Sequence, residues 1–266
     1  MKSSSLISRI LVAIISVPVI IFIIIHKDPI YYYVLVSAGI MLALIEFFAM
    51  MSKRGIKPMW IIGVIFGFSF LLYPALINVD YSKNFLTFAI LTVLLIKVLK
   101  GEYETHVPSL FITIFGIIYV CWLGNFIIQV RYTLGSKLTL FLFLITWLND
   151  SGAYFIGTTI GTHKLLPRIS PKKTVEGFIG GIIFSILTGI IAKPFLNINN
   201  ISDTSWIAIC FLLGIAAHIG DLSESLLKRF AKAGNSFDLI PGHGGVLDKI
   251  DSLLFTSPVF YFFFKP

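Results

Sequence analysis

Charge is scarce in this chain: 13% of its 266 residues are Asp, Glu, Lys or Arg, against about a quarter in a soluble domain. That shortage excludes an ordinary water-soluble domain. Cysteine is scarcer still, and the two present, Cys121 and Cys210, sit in apolar stretches without metal-type spacing, so they read as core residues. There is no Walker A pattern and no Gly-x-Gly-x-x-Gly after a strand, which removes support for a soluble mononucleotide fold. The basic residues form no separate module, so nucleic-acid binding is not expected. No repeat of fixed period, low-complexity tract or linker divides the chain into soluble domains.

What fills the chain is hydrophobic sequence, 57% of all residues, with a mean hydropathy of +0.93. A helix crossing a bilayer needs about 20 mostly apolar residues. Nine such spans are expected, near residues 6–25, 30–51, 60–77, 84–99, 109–130, 138–159, 178–195, 205–220 and 250–264, which makes the chain an all-α polytopic membrane protein. The first span follows Lys2, carries Arg9 and lacks an Ala-x-Ala cleavage site, so it is expected to be a retained helix rather than a signal peptide. On the nine-span topology, fifteen of the 21 Lys and Arg fall on one side. The positive-inside tendency then places the N-terminus and the two most basic loops in the cytoplasm. A net charge of +8 suits an anionic leaflet or a phosphate-bearing substrate.

Residues 1–140 read as scaffold helices and residues 141–266 as the catalytic region of the same membrane unit. In the first half, Glu46 has Lys53 and Arg54 within reach and is expected to form a helix-end ion pair. In the second half, acids stand where they are costly, since an ionised Asp at a membrane midplane costs roughly 2.5–3.5 kcal/mol. Asp150 lies within the sixth span and must be protonated, paired or metal-bound.

A basic loop follows, Gly161 to Gly177, with Lys164, Arg168, Ser170, Lys172, Lys173, Thr174 and Glu176. Pro167 and Pro171 stop helix formation and keep the backbone extended, leaving cations and hydroxyls free to meet an anion. Gly177, Gly180 and Gly181 read as helix-packing positions. Further on, Asp221, Glu224, Ser225, Lys228 and Arg229 fall at i, i+3, i+4, i+7 and i+8, on one helix face. His218, three residues earlier, reads as a satisfied buried histidine.

The turn Pro241-Gly242-His243-Gly244-Gly245 permits close backbone approach to a phosphate. His243 itself reads equally as a phosphate donor, a proton shuttle or a turn residue. Asp248 and Asp251, at i and i+3, open the last span and can point to one locus. Oxygen-only ligation by Asp and Ser suits Mg²⁺.

Three ordered motifs form a known pattern. Trp147 to Tyr154, Ser170-Pro171-Lys172-Lys173-Thr174-Val175-Glu176-Gly177, and Ser225 to Arg229 followed by Pro241 to Asp248 and then Asp251, resemble the signatures of the phosphatidate cytidylyltransferases, or CDP-diacylglycerol synthases. The resemblance covers residues 145–265. It departs at Gly234-Asn235, where the family has Lys-Asp, and at Asp248-Lys249, where it has Asp-Arg.

The resemblance implies a cytoplasm-facing enzyme of a bacterial-type membrane, joining CTP to phosphatidic acid in the bilayer, with a homodimer as the family expectation. Asp221 and Asp248 are implied to hold a divalent ion together with a second cation such as K⁺. Ser225 and Asp150 are expected beside that metal, with Asp251 as a further catalytic acid. Lys172, Lys173, Lys228 and Arg229 are expected to hold phosphates. Ser170, Thr174, Glu176, His243, Gly244 and Gly245 are expected to complete the substrate contacts. The competing class is a transporter using Asp150, His218 and Asp221 as a proton relay, and a third reading is an inactive scaffold that kept the fold.

Overall fold

A computed structural model describes residues 16–76, 82–100, 103–198, 200–232 and 245–265. Helices dominate, as the apolar spans require: α1 (Ser16–Ile25), α2 (Ile30–Lys53), α3 (Trp60–Leu76), α4 (Ser82–Lys100), α5 (Tyr103–Gly116) and α6 (Leu123–Thr159) precede α7 (Val175–Leu196), α8 (Asp203–Phe230) and α9 (Leu247–Phe264). A π-helical stretch, Ile117–Trp122, joins α5 to α6 without a break. The Pro167/Pro171 segment is extended as expected, and its extended backbone pairs: β1 (Lys164–Leu166) and β2 (Ser170–Thr174) form an antiparallel hairpin, the one departure from all-α among the described residues.

α6 contains a reversal rather than a bend. Gly135 has φ +83°, ψ 176°, a conformation that a side chain would strain. The Tyr32 hydroxyl donates to the Ile127 carbonyl at 3.0 Å, while its ring lies 6.4 Å from that of Phe143. In a straight helix those two partners would be about 24 Å apart. Phe126 and Phe141 likewise meet neighbouring rings of α9, Tyr261 and Phe260. The chain therefore doubles back at Gly135, separating the expected spans 109–130 and 138–159.

Among the described residues, four helical segments are long and apolar enough to cross a membrane: α2, Val107–Thr159, α7 and α8. Ser16–Ile25, Trp60–Leu71 and Thr87–Ile96 are shorter apolar helices, and α9 carries Asp248, Lys249 and Asp251 in its first turns. Hydropathy registers an apolar run without the charged turn that opens it. Large apolar side chains face outward, among them Ile61, Leu99, Ile191 and Phe195. In water such a surface would be an association hazard, whereas in lipid it is the contact face of an integral membrane protein.

The helices α6 to α9 pack on one another, and α2 packs on α9. Small residues allow the close approaches. A Cβ on Gly177 would fall 2.8 Å from the Ala153 carbonyl oxygen, and one on Gly181 would fall 2.6 Å from His218 Nε2. Asn149, fully buried, donates to Ser185 Oγ at 2.9 Å and binds α6 to α7 within this packing. The glycines read as packing positions are packing positions.

Candidate active site

The second leg of α6 carries Asp150, Ala153, Tyr154, Gly157 and Thr158 along one face, the periodicity of a helix side. That face, the β1–β2 hairpin, the first turn of α7, and His218 and Asp221 of α8 enclose a cavity of about 500 Å³, a volume suited to a small ligand. Lys164, Lys172 and Lys173 line it from the hairpin and Asp150 lines it from α6. The basic loop and the sixth-span acid thus line one cavity.

Two lysines meet the carboxylates of α8 and α9. Lys173 Nζ, from β2, is 2.6 Å from Asp221 Oδ2. Lys228 Nζ lies 2.7 Å from Glu224 Oε2, one helical turn away, and also pairs with Asp248 Oδ1 of α9. Asp251 is buried next to them, its Oδ1 accepting from the Ser252 N–H at 2.6 Å. Three carboxylates therefore pair with two ammonium groups, with Asp150 and Asp251 in the same region. The surplus of acceptor oxygen is what a further cation would neutralise.

Among the described residues no three His, Cys, Asp or Glu side chains form a closed metal cage. Magnesium is usually held by one or two carboxylates, with phosphate oxygens and water completing its shell. The oxygen donors Asp221 and Asp248, from adjacent helices, fit that mode.

Other expected site residues have structural partners. Thr174 is the N-cap of α7, its hydroxyl accepting from Gly177 N–H at 3.1 Å, and it also lines the cavity. Thr174→Ala should cost about 1 kcal/mol of stability, lowering Tm by roughly 2–4 °C, with Thr174→Ser near wild type; thermal denaturation of detergent-solubilised protein measures it. Arg229 donates to the Ile169 carbonyl at 3.1 Å and ties α8 to the hairpin turn. Glu176 accepts from the Thr162 hydroxyl and the His163 backbone and lies 2.6 Å from His163 Nδ1, closing the loop ahead of β1. His218 is buried, donates from Nε2 to the Phe178 carbonyl at 3.1 Å and lies against the Phe178 ring, the satisfied histidine expected.

Ser170 and Ser225 are half-buried in β2 and α8 and are not on the cavity wall. Gly245 N–H donates to Asp248 Oδ2 at 3.3 Å. His243 and Gly244, with Gly234, Asn235, Pro241 and Gly242, lie outside the described residues.

Two acids exceed their expected parts. Glu224 was legible on the carboxylate face of α8, but its pairing with the lysine that also holds Asp248 needed the fold. Glu46, expected in an ion pair with Lys53 and Arg54, gives its carboxylate oxygens to backbone N–H groups at the start of α9, while Arg54 covers the Phe230 ring and donates to its carbonyl. Helix periodicity carried no signal for a partner 200 residues away.

The model of the family described as the cytidylyltransferase family matches residues 7–266. The phosphatidate cytidylyltransferase of Bacillus subtilis (strain 168) is 34% identical over 261 residues, 96% of each chain. That of Thermotoga maritima is 37% identical over 154 residues, 56% of this chain and 57% of its own. That of Staphylococcus saprophyticus is 43% identical over 125 residues, 47% of this chain and 48% of its own.

Proposed function

The chain belongs to the cytidylyltransferase family, and from that premise we propose that it transfers the cytidylyl group of CTP to phosphatidic acid, forming CDP-diacylglycerol and pyrophosphate. The observation that carries the proposal is a cavity lined by Lys164, Lys172, Lys173 and Asp150 with the Lys173–Asp221 pair in its wall, and the Lys228–Asp248 pair two helical turns further along α8. A phosphate oxygen of phosphatidic acid attacks the α-phosphorus of CTP. The new P–O bond forms as the α–β bridging bond breaks, and pyrophosphate leaves with the electron pair. No covalent enzyme intermediate is required. Two polyanions must first come together, so their repulsion is the main obstacle and fixed cations are the remedy.

Lys172, Lys173 and Lys228 neutralise the phosphates, and Arg229 steadies the hairpin while adding positive charge. Mg²⁺ at Asp221 and Asp248 would supply Lewis-acid polarisation of phosphate oxygen, with K⁺ as the second cation and Asp150, Ser225 and Asp251 around them. Entry of substrates displaces the two lysines from their carboxylates, freeing each for the role its chemistry fits. Ser170, Thr174, His243 and the backbone at Gly244 and Gly245 offer hydrogen bonds to the same phosphates.

The membrane arrangement belongs to the same proposal. Nine crossings, an N-terminus in the cytoplasm and a cavity at the cytoplasmic mouth let acyl chains remain in lipid while CTP arrives from water. The reversal at Gly135 supports counting the long helical run as two crossings. Residues 1–140 serve as scaffold, residues 141–266 carry the chemistry, and the unit forms a homodimer. Neither the fold nor the relatives support the transporter alternative.

Purified protein given CTP, phosphatidic acid and Mg²⁺ should produce CDP-diacylglycerol and pyrophosphate in equal amounts; substrate movement across liposomes without nucleotide consumption would contradict this. Lys173→Ala should lower kcat/KM by roughly 10²-fold, the usual cost of one fixed charge-stabilising group. Steady-state kinetics in each substrate measures the effect, and an unchanged value would reduce the hairpin to a topological element.

A further inference from the structure

Glu46 belongs to α2, in the half of the chain expected to be scaffold, yet it is only 2% exposed and reaches the site's own helix. Its Oε1 accepts from Val246 N–H at 2.9 Å and its Oε2 from Leu247 N–H at 2.8 Å. A helix begins with N–H groups that lack intrahelical partners, and Val246, the N-cap of α9, offers no side-chain bond. Gly245 N–H goes to Asp248 Oδ2. Three successive amides therefore end on carboxylate oxygen, two on a residue of α2. These charge-assisted bonds are stronger than neutral ones, and a carboxylate also complements the positive end of the helix dipole.

The placement matters because Asp248 follows Leu247 directly and Asp251 comes one turn later. Whatever fixes the first turn of α9 fixes where the Asp248 carboxylate stands relative to Lys228 and to Asp221 of α8. We propose that Glu46 is a positioning residue for the metal and phosphate site: it anchors the start of α9 to α2 and thereby sets the location of Asp248. The inference rests on the cytidylyltransferase reading for its kinetic consequence, and on the two hydrogen bonds alone for its structural one.

The discriminating variant is Glu46→Gln, which keeps the packing and one acceptor oxygen but turns an amide N–H toward a backbone donor. In folded, detergent-purified protein, Glu46→Gln should raise the Mg²⁺ concentration for half-maximal rate and lower kcat, each by about tenfold, the lower end of what a supporting residue contributes. The KM for phosphatidic acid should stay near wild type. In Mg²⁺-free protein the Val246 and Leu247 amides should exchange hydrogen faster than in wild type. A Glu46→Gln protein with a lower Tm but wild-type Mg²⁺ half-saturation would overturn the proposal, because a merely structural residue behaves that way. Should Glu46→Gln not fold, Glu46→Asp, with both acceptors on a shorter stem, decides: a Mg²⁺ shift in the same direction supports the proposal and a wild-type value overturns it. If wild-type protein formed no CDP-diacylglycerol, the functional reading would fail, while amide exchange would still report on the anchor.

Discussion

Asp221→Ala and Asp248→Ala should each lower CDP-diacylglycerol formation by roughly 10²- to 10³-fold, or about 3–4 kcal/mol of lost transition-state stabilisation. Each acid has two tasks. It holds a lysine in the resting site, Lys173 for Asp221 and Lys228 for Asp248, and on the proposed mechanism it would offer oxygen to a divalent ion. Removing Asp221 takes away the ion-pair partner of Lys173, so the variant should retain or tighten CTP binding while losing turnover. Removing Asp248 leaves Lys228 paired to Glu224 alone. Because the proposal puts both acids at one locus, it expects the double variant to be little worse than either single one. Fully additive losses, measured as kcat/KM of the three variants, would assign them to separate sites.

Gly220→Ala should be nearly as damaging, although glycine has no functional group. A Cβ at this position would fall 2.9 Å from Ser252 Cα and nearer still to the Asp251 carbonyl oxygen. Both are backbone atoms, so the clash cannot be relieved by a rotamer change, and α8 and α9 must separate. Gly220 immediately precedes Asp221, and the opposing backbone lies beside Asp251. Displacing two catalytic helices by about 1 Å can cost 10²-fold in rate, and overpacking should add about 1–3 kcal/mol of destabilisation. Gly39→Ala is the matched control: in the interior of α2 the nearest atom to its new Cβ would be Val246 Cγ1 at 4.0 Å, so activity should persist. Comparing kcat and Tm of the two variants checks the argument. A normal kcat in folded Gly220→Ala protein would show that the separation of α8 and α9 is not critical.

How much of this was legible beforehand depended on whether a feature is local. The spacing from Asp221 to Arg229 predicts a shared helix face because helical periodicity is a property of the chain, and the Lys228–Glu224 pair is its direct product. Pro167 and Pro171 restrict their own backbone, so the extended hairpin was foreseeable even though its pairing was not. Asp248 and Asp251 were conspicuous because carboxylates beside an apolar run are costly. Pairings between distant segments carried no such mark. Nothing near Lys173 points to Asp221 in particular, and nothing near Glu46 points to Val246. The resemblance set Glu176 and Arg229 among the substrate contacts, and local geometry gives Glu176 a partner in His163 and Arg229 one in the hairpin backbone. Gly135 stood between two expected spans, and its positive φ converts that gap into a reversal.

The most direct test follows the fate of each phosphate. Purified protein in detergent with phosphatidic acid and Mg²⁺ is given CTP labelled at the α-phosphorus or, separately, at the γ-phosphorus, beside Asp221→Ala protein as a blank. The account requires α-label to enter the lipid fraction and γ-label to leave as pyrophosphate, both lost in the variant. γ-Label in lipid, or equal incorporation by the variant, would contradict it.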